Sequence, residues 1–212
     1  MEIAKILNLV SQERFEPYRK RYYNDLKRSF ALYQANILIS QSFYSSLSIL
    51  EVTLRNSINN SFQEYFDDNR WYRKLPEELR VQIEAIESKL LKSKKPISVD
   101  RIIAELNFGF WTVLFNRQYA RFFWKPLIHA FPNLPSDCRK RTIVSAKLNR
   151  IRTFRNRIYH YEPIIWNIQE IVNKREEIYE ILDWIEPEIK NWAISIDQFN
   201  QTKQKIKDSL LG

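Results

Sequence analysis

"SFALYQANILISQSFYSSLSILEVTLRNSINNSFQEYF" runs from Ser29 to Phe66, and neither Pro nor Gly occurs between Pro17 and Pro76. Within it Phe30, Tyr33, Ile37, Tyr44, Leu47, Leu50, Leu54, Ile58, Phe62 and Tyr65 recur at steps of three, four and seven. That is the period of one helix face turned toward a core. The spacing predicts a helix from about Ser29 to Phe66, and with it an all-α protein.

The flanking sequence reads the same way. "LPEELRVQIEAIESKLLKSKKP" (75–96) has acids after Pro76, which is preset for the first turn of a helix, and lysines before Pro96, which stops it. "SVDRIIAELNFGFWTVLF" (98–115) resumes with Ser98 as N-cap and a break expected near Gly109. "YARFFWKPLIHAFPNLP" (119–135) is divided by Pro126, Pro132 and Pro135, so short helices are expected there. Helical spacing returns from about Asp137 through Tyr159, Pro163 opens a further helix, and Pro187 opens a last one through Leu211. No strand-like alternation, hairpin dipeptide or internal repeat competes. The expectation is one all-helical domain over 1–212, with a core of 29–185 and a C-terminal helix within 186–212.

Composition narrows the function. A net charge of +9 and a pI near 9.6 favour a polyanionic partner, nucleic acid ahead of an anionic membrane surface. Eight Lys and Arg fall between Arg139 and Arg157 with no Asp or Glu among them. Arg139, Lys140, Arg141, Lys147, Arg150, Arg152 and Arg157 are the candidates for RNA phosphates, and Phe154, Tyr159 and Tyr161 interleave with them as candidate stacking rings. The same pattern also describes a solvated helix face whose aromatics belong to the core. The only glycines, Gly109 and Gly212, leave no room for a P-loop, a dinucleotide loop or a nucleophile elbow. One cysteine and two distant histidines exclude the usual zinc spacings, so neither metal nor cofactor is expected. The lone Cys138, the absence of a signal-peptide layout and the lack of an obvious apolar span give the expectation of a cytoplasmic protein with no membrane partner.

The chemistry gathers in "RTFRNRIYHY", Arg152 to Tyr161, just before Pro163. On a helix Asn156 and His160 lie about 40° apart, whereas Arg155 and His160 are about 140° apart. Arg155 and His160 would converge if Pro163 unwound the last turn, and Arg155, Asn156 and His160 would then surround one phosphate. RNA brings its own nucleophile, the 2′-OH. Cleavage then needs a group that moves protons near neutrality, as histidine does with an ordinary pKa of about 6.5, and a cation to steady charge on phosphorus. A histidine that caps a helix end is the plainer explanation of the same residues. His129, beside Pro126 and Phe131, reads as structural.

"RTFRNRIYHYEPI" resembles the R-N-x-x-x-H signature of the HEPN superfamily in its abortive-infection (Abi-like) form. "LEVTLRNSI" (Leu50–Ile58) and "FGFWTVLF" (Phe108–Phe115) resemble the same group in the same order. The resemblance implies a HEPN-like helical bundle with additional helices and metal-independent RNA cleavage that leaves a 2′,3′-cyclic phosphate. It also implies a homodimer with facing motifs, and a role in phage defence or toxin–antitoxin growth arrest. Carried over by residue, Arg155 and His160 are the catalytic pair, with Asn156 positioning. Glu51, Arg55 and Asn56 support them; Glu51 and Arg55, spaced i,i+4, are expected to form a buried ion pair that braces their helix. Tyr161 stands where many members carry a second His, which leaves His160 as the single candidate imidazole. Two other classes remain open: a non-catalytic RNA- or nucleotide-binding domain, and an interaction module whose basic face docks an acidic antitoxin.

Overall fold

Two short helices, α1 (Ile3–Val10) and α2 (Gln12–Arg21), precede the long apolar stripe. They come from a computed structural model that describes residues 3–211, so Met1, Glu2 and Gly212 of the expected domain lie outside the described residues. The stripe itself folds as α3 (Leu26–Ser42) and α4 (Tyr44–Phe66) rather than as one helix. Asp25 starts it by accepting the Arg28 amide at 3.0 Å. The break falls at Phe43, whose N–H reaches the Ser40 carbonyl (3.2 Å), one residue short of the helical partner. Serines flank it: the Ser42 hydroxyl donates to the Ile39 carbonyl (2.7 Å) and that of Ser46 to the Phe43 carbonyl (3.2 Å). Such back-bonding competes with the helical ladder, which is why a break arises without Pro or Gly.

Leu26–Phe66 is also long and apolar enough to cross a membrane by length and composition, contrary to the expectation from sequence. Ser29 to Leu50 contains no charged residue, and Ser, Gln and Asn had disguised the run. Here 44% of its most apolar window is buried against the rest of the protein.

Other boundaries also differ from the sequence reading. Helix α5 (Glu77–Lys92) takes Pro76 as its N-cap and ends ahead of Pro96. Ser98 caps α6 (Val99–Glu105) as expected, accepting from the Arg101 amide. The next break is at Leu106–Asn107, where Asn107 caps α7 (Phe108–Val113); Gly109 lies inside α7 without a positive φ. Helix α8 (Ala120–His129) runs through Pro126. The carbonyl that Pro126 leaves without a donor belongs to Phe122, an exposed residue, so water can satisfy it.

Helix α9 (Arg141–Tyr159) starts later than expected, after a 3-10 turn that holds Asp137. Pro163 does not open the next helix: α10 (Ile168–Ile185) starts five residues later, capped by Asn167. The expected single C-terminal helix is two, α11 (Pro187–Ser195) and α12 (Phe199–Leu211). Asp197 separates them, taking the Phe199 amide (2.7 Å), Arg175 Nε (3.0 Å) and the Tyr179 hydroxyl on one carboxylate. Buried Asp197 also holds the Tyr179 phenol above its usual range, after the larger effect of burial.

Among the described residues there is no strand, and the chain is one all-helical domain. Helix α4 lies at the centre against α7, α8, α10 and α11, while α3 carries α2 and α12 on its side. Leu50, Leu54, Ile58 and Phe62 of α4 are fully buried, with Trp71 and Trp111 beside them. Helix α9 packs on α7 and α10, which carries its basic surface to one edge and its C-terminal end toward α2 and α3.

Candidate functional site at the end of α9

The last turn of α9 stays helical. The His160 amide donates to the Asn156 carbonyl at 2.8 Å, so Pro163 does not unwind it and the proposed convergence of Arg155 with His160 does not occur by that route. Instead the chain leaves through a paired closure: the Tyr161 amide bonds the Ile158 carbonyl (3.0 Å) and the Glu162 amide the Arg157 carbonyl (2.8 Å). Tyr161 occupies the left-handed position of that closure, with φ 60°, where Gly is usual. A side chain there costs about 1–2 kcal/mol. The closure leaves His160 and Tyr161 exposed at the helix end.

Arg155 is turned the other way. Its Nη2 meets Glu51 Oε2 of α4 at 3.2 Å, its guanidinium lies 4.1 Å over the Tyr159 ring, and Nη1 reaches Asn156 Oδ1 at 3.5 Å. Buried Nε has no hydrogen-bond partner among the described residues. The expected Glu51–Arg55 pair is therefore replaced by a Glu51–Arg155 pair between helices. Arg55 bonds the Ala104 carbonyl (3.4 Å) and Asn56 Oδ1 (3.3 Å), and Asn56 is exposed. The i,i+4 spacing failed because a cation from another helix reaches the carboxylate first. Among the described residues Arg155 makes no hydrogen bond or ion pair with His160.

The other basic candidates divide. Lys147 pairs with Glu180 and lies 5.2 Å over Trp184; Arg150 pairs with Glu177 at 2.6 Å. Arg139 and Arg141 bond the Leu134 and Phe115 carbonyls (3.2 and 2.8 Å). Arg157 holds Glu162 (3.5 Å) and the Pro163 carbonyl. Lys140 is exposed at the start of α9, and Arg152 keeps a buried Nε without a partner. His129 is exposed at the end of α8. Among the described residues no three His, Cys, Asp or Glu side chains gather as a metal site.

Three participants were not read from sequence as site residues, and one of them, Tyr44, was expected in the core-facing stripe but is 66% exposed. Asn36, buried in α3, accepts the amides of Ile164 (2.7 Å) and Ile165 (3.2 Å) through Oδ1, and its Nδ2 donates to the Glu162 carbonyl (3.4 Å). One side chain thus fastens the segment that follows the motif. Arg14 of α2 donates to the His160 carbonyl (3.4 Å) and lies 5.3 Å from the Tyr161 ring centroid. Tyr44, at the first turn of α4, and Tyr159 both line a cleft of about 560 Å³ between α2, α3, α4 and the end of α9. Burial raises the Tyr159 phenol above its ordinary pKa.

Compared with protein families, with curated proteins and with solved structures, the chain matches none.

Proposed function

We propose that this protein is a metal-independent endoribonuclease of HEPN, Abi-like type, acting in the cytoplasm in phage defence or toxin–antitoxin growth arrest. The observation that carries the reading is the Glu51–Arg155 contact: two stretches that resemble the HEPN pattern, 104 residues apart, meet at one place. Exposed His160 lies one turn beyond. In the proposed reaction His160 takes the proton of the 2′-OH, and the 2′-oxygen attacks phosphorus. The bond to the 5′-oxygen breaks, that oxygen takes a proton, and a 2′,3′-cyclic phosphate remains. Arg155, aimed by Glu51 and Asn156, steadies the charge on the phosphoryl oxygens. A homodimer would supply a second His160 as the acid, since a twofold axis sets the same patch of each chain face to face. An acidic antitoxin would be the partner that covers the site.

One observation favours a second reading, a non-catalytic RNA-binding or interaction domain. Arg155 is already engaged by Glu51 and is not in contact with His160. The deciding experiment is incubation of single-stranded RNA with purified protein in EDTA. Fragments ending in 2′,3′-cyclic phosphate are expected, DNA of the same sequence stays whole, and light scattering gives the mass of two chains. His160→Ala should slow cleavage by about 10²–10⁴-fold with an unchanged melting curve. RNA that is bound and never cut selects the second reading, and cleavage that returns only with Mg²⁺ rejects the mechanism.

A further inference from the structure

The cleft beside the motif differs in chemistry from the rest of the surface. Four tyrosines line it, Tyr33, Tyr44, Tyr159 and Tyr161, and among the described residues Arg14 is the only charged one on its walls. The chain has 25 Asp and Glu, and none of the described ones lines it. Its volume of about 560 Å³ lies within the roughly 300–1,000 Å³ usual for small-ligand sites. Tyr33 is held as a fixed wall by edge contacts to Phe15 (6.1 Å) and Tyr18 (5.3 Å). Tyr44 and Tyr161 are 66% and 74% exposed, so much of each ring is open to a ligand. Gln41 and Ser40 add amide and hydroxyl groups between the rings. A flat, uncharged ring system with polar edges is what such walls complement, because a base can stack on tyrosine while its edge bonds amides. The single cation adds the second half of a nucleotide. Arg14, an exposed residue of the cleft wall, donates to the His160 carbonyl and lies next to Tyr161.

We infer that the cleft is a base-binding subsite that takes one nucleotide of single-stranded RNA, stacking its base against Tyr44 and presenting the adjoining phosphate to Arg14. The ligand rests on the RNA reading above; the subsite does not require that cleavage occur. Its consequence is that the strand is anchored within one residue of His160, so the nucleotide in the cleft fixes which phosphate lies at the helix end.

The test uses two short probes without the nucleophile: 2′-O-methyl RNA, and a ribose-phosphate oligomer of the same length lacking bases. Affinities are read by fluorescence anisotropy for the wild-type chain, Tyr44→Ala, Tyr44→Phe and Arg14→Gln, with circular dichroism and melting alongside. Tyr44→Ala should weaken the base-bearing probe about 10-fold and leave the abasic probe unchanged, and Tyr44→Phe should restore wild-type binding. Arg14→Gln should weaken both probes alike, since it meets phosphate. Equal wild-type affinity for the two probes, or an equal loss of both in Tyr44→Ala, overturns the subsite and leaves the cleft to another occupant. Cleavage is measured in parallel. Tyr44-dependent, base-dependent binding without cleavage upholds the subsite and rejects the ribonuclease; cleavage with base-independent binding does the reverse.

Discussion

The middle and the end of α9 carry the same kind of residue and use it differently. In the middle, Lys147 and Arg150 are bound to Glu180 and Glu177 of α10, and their charge joins two helices. At the end, Arg155 holds a single carboxylate, while His160 and Tyr161 stand out into solvent beside Arg14. Eight cations in a row therefore do not make eight phosphate contacts. Carboxylates distant in sequence decide which of them remain available, and they lie on α10 far more than on the surface next to the cleft.

Swapping one arginine for another tests that contrast most sharply. Arg155→Ala should lower cleavage by about 10²–10³-fold, the usual consequence of removing a group that meets developing charge. Arg150→Ala should leave the rate within a few-fold. It should also leave the salt dependence of RNA binding unchanged, where each lost phosphate contact would remove about 0.7 from the log–log slope. Equal behaviour of the two variants would erase the distinction.

A smaller effect is expected at Asn36. Its removal leaves the buried amides of Ile164 and Ile165 without an acceptor, at about 1–3 kcal/mol for each unsatisfied group. Chemical denaturation should show that loss, and proteolysis should find the Glu162–Ile165 segment loosened. A variant as stable as the wild type would mean that water replaces the amide. Smallest is Tyr161→Gly. It relieves the left-handed backbone but gives up the ring beside Arg14 and adds freedom to the unfolded chain. The net change in stability should stay under about 1 kcal/mol, and a larger loss would show that the ring holds α2 in place.

Helices were legible in the sequence wherever the apolar period was long, and so were caps such as Ser98, because both signals are local. The break at Phe43 was not, since it depends on serine hydroxyls that sequence reading treats as filler. Nor was the split at Asp197, whose carboxylate stops one helix and starts the next only because Arg175 and Tyr179 arrive from α10. At the site, the position of Arg155, Asn156 and His160 at a helix end followed from spacing and Pro163. The partner of Glu51 did not, because a correct i,i+4 spacing pointed to Arg55. Arg14, Asn36 and Tyr44 lie in segments without a motif and enter the site through tertiary packing alone.

Phe43 is almost fully buried, and its ring meets Phe154 of α9 at 4.9 Å and Phe199 of α12 at 5.4 Å. None of these three rings lines the cleft, yet the walls of the cleft belong to both arms of the joint they form: Tyr33 and Gln41 before it, Tyr44 and Leu47 after it. The calibre of the cleft is therefore set from behind, like a jaw whose gape is fixed at the hinge pin. A change of bulk at Phe199, the first residue of α12, would be felt as a change in the size of guest admitted.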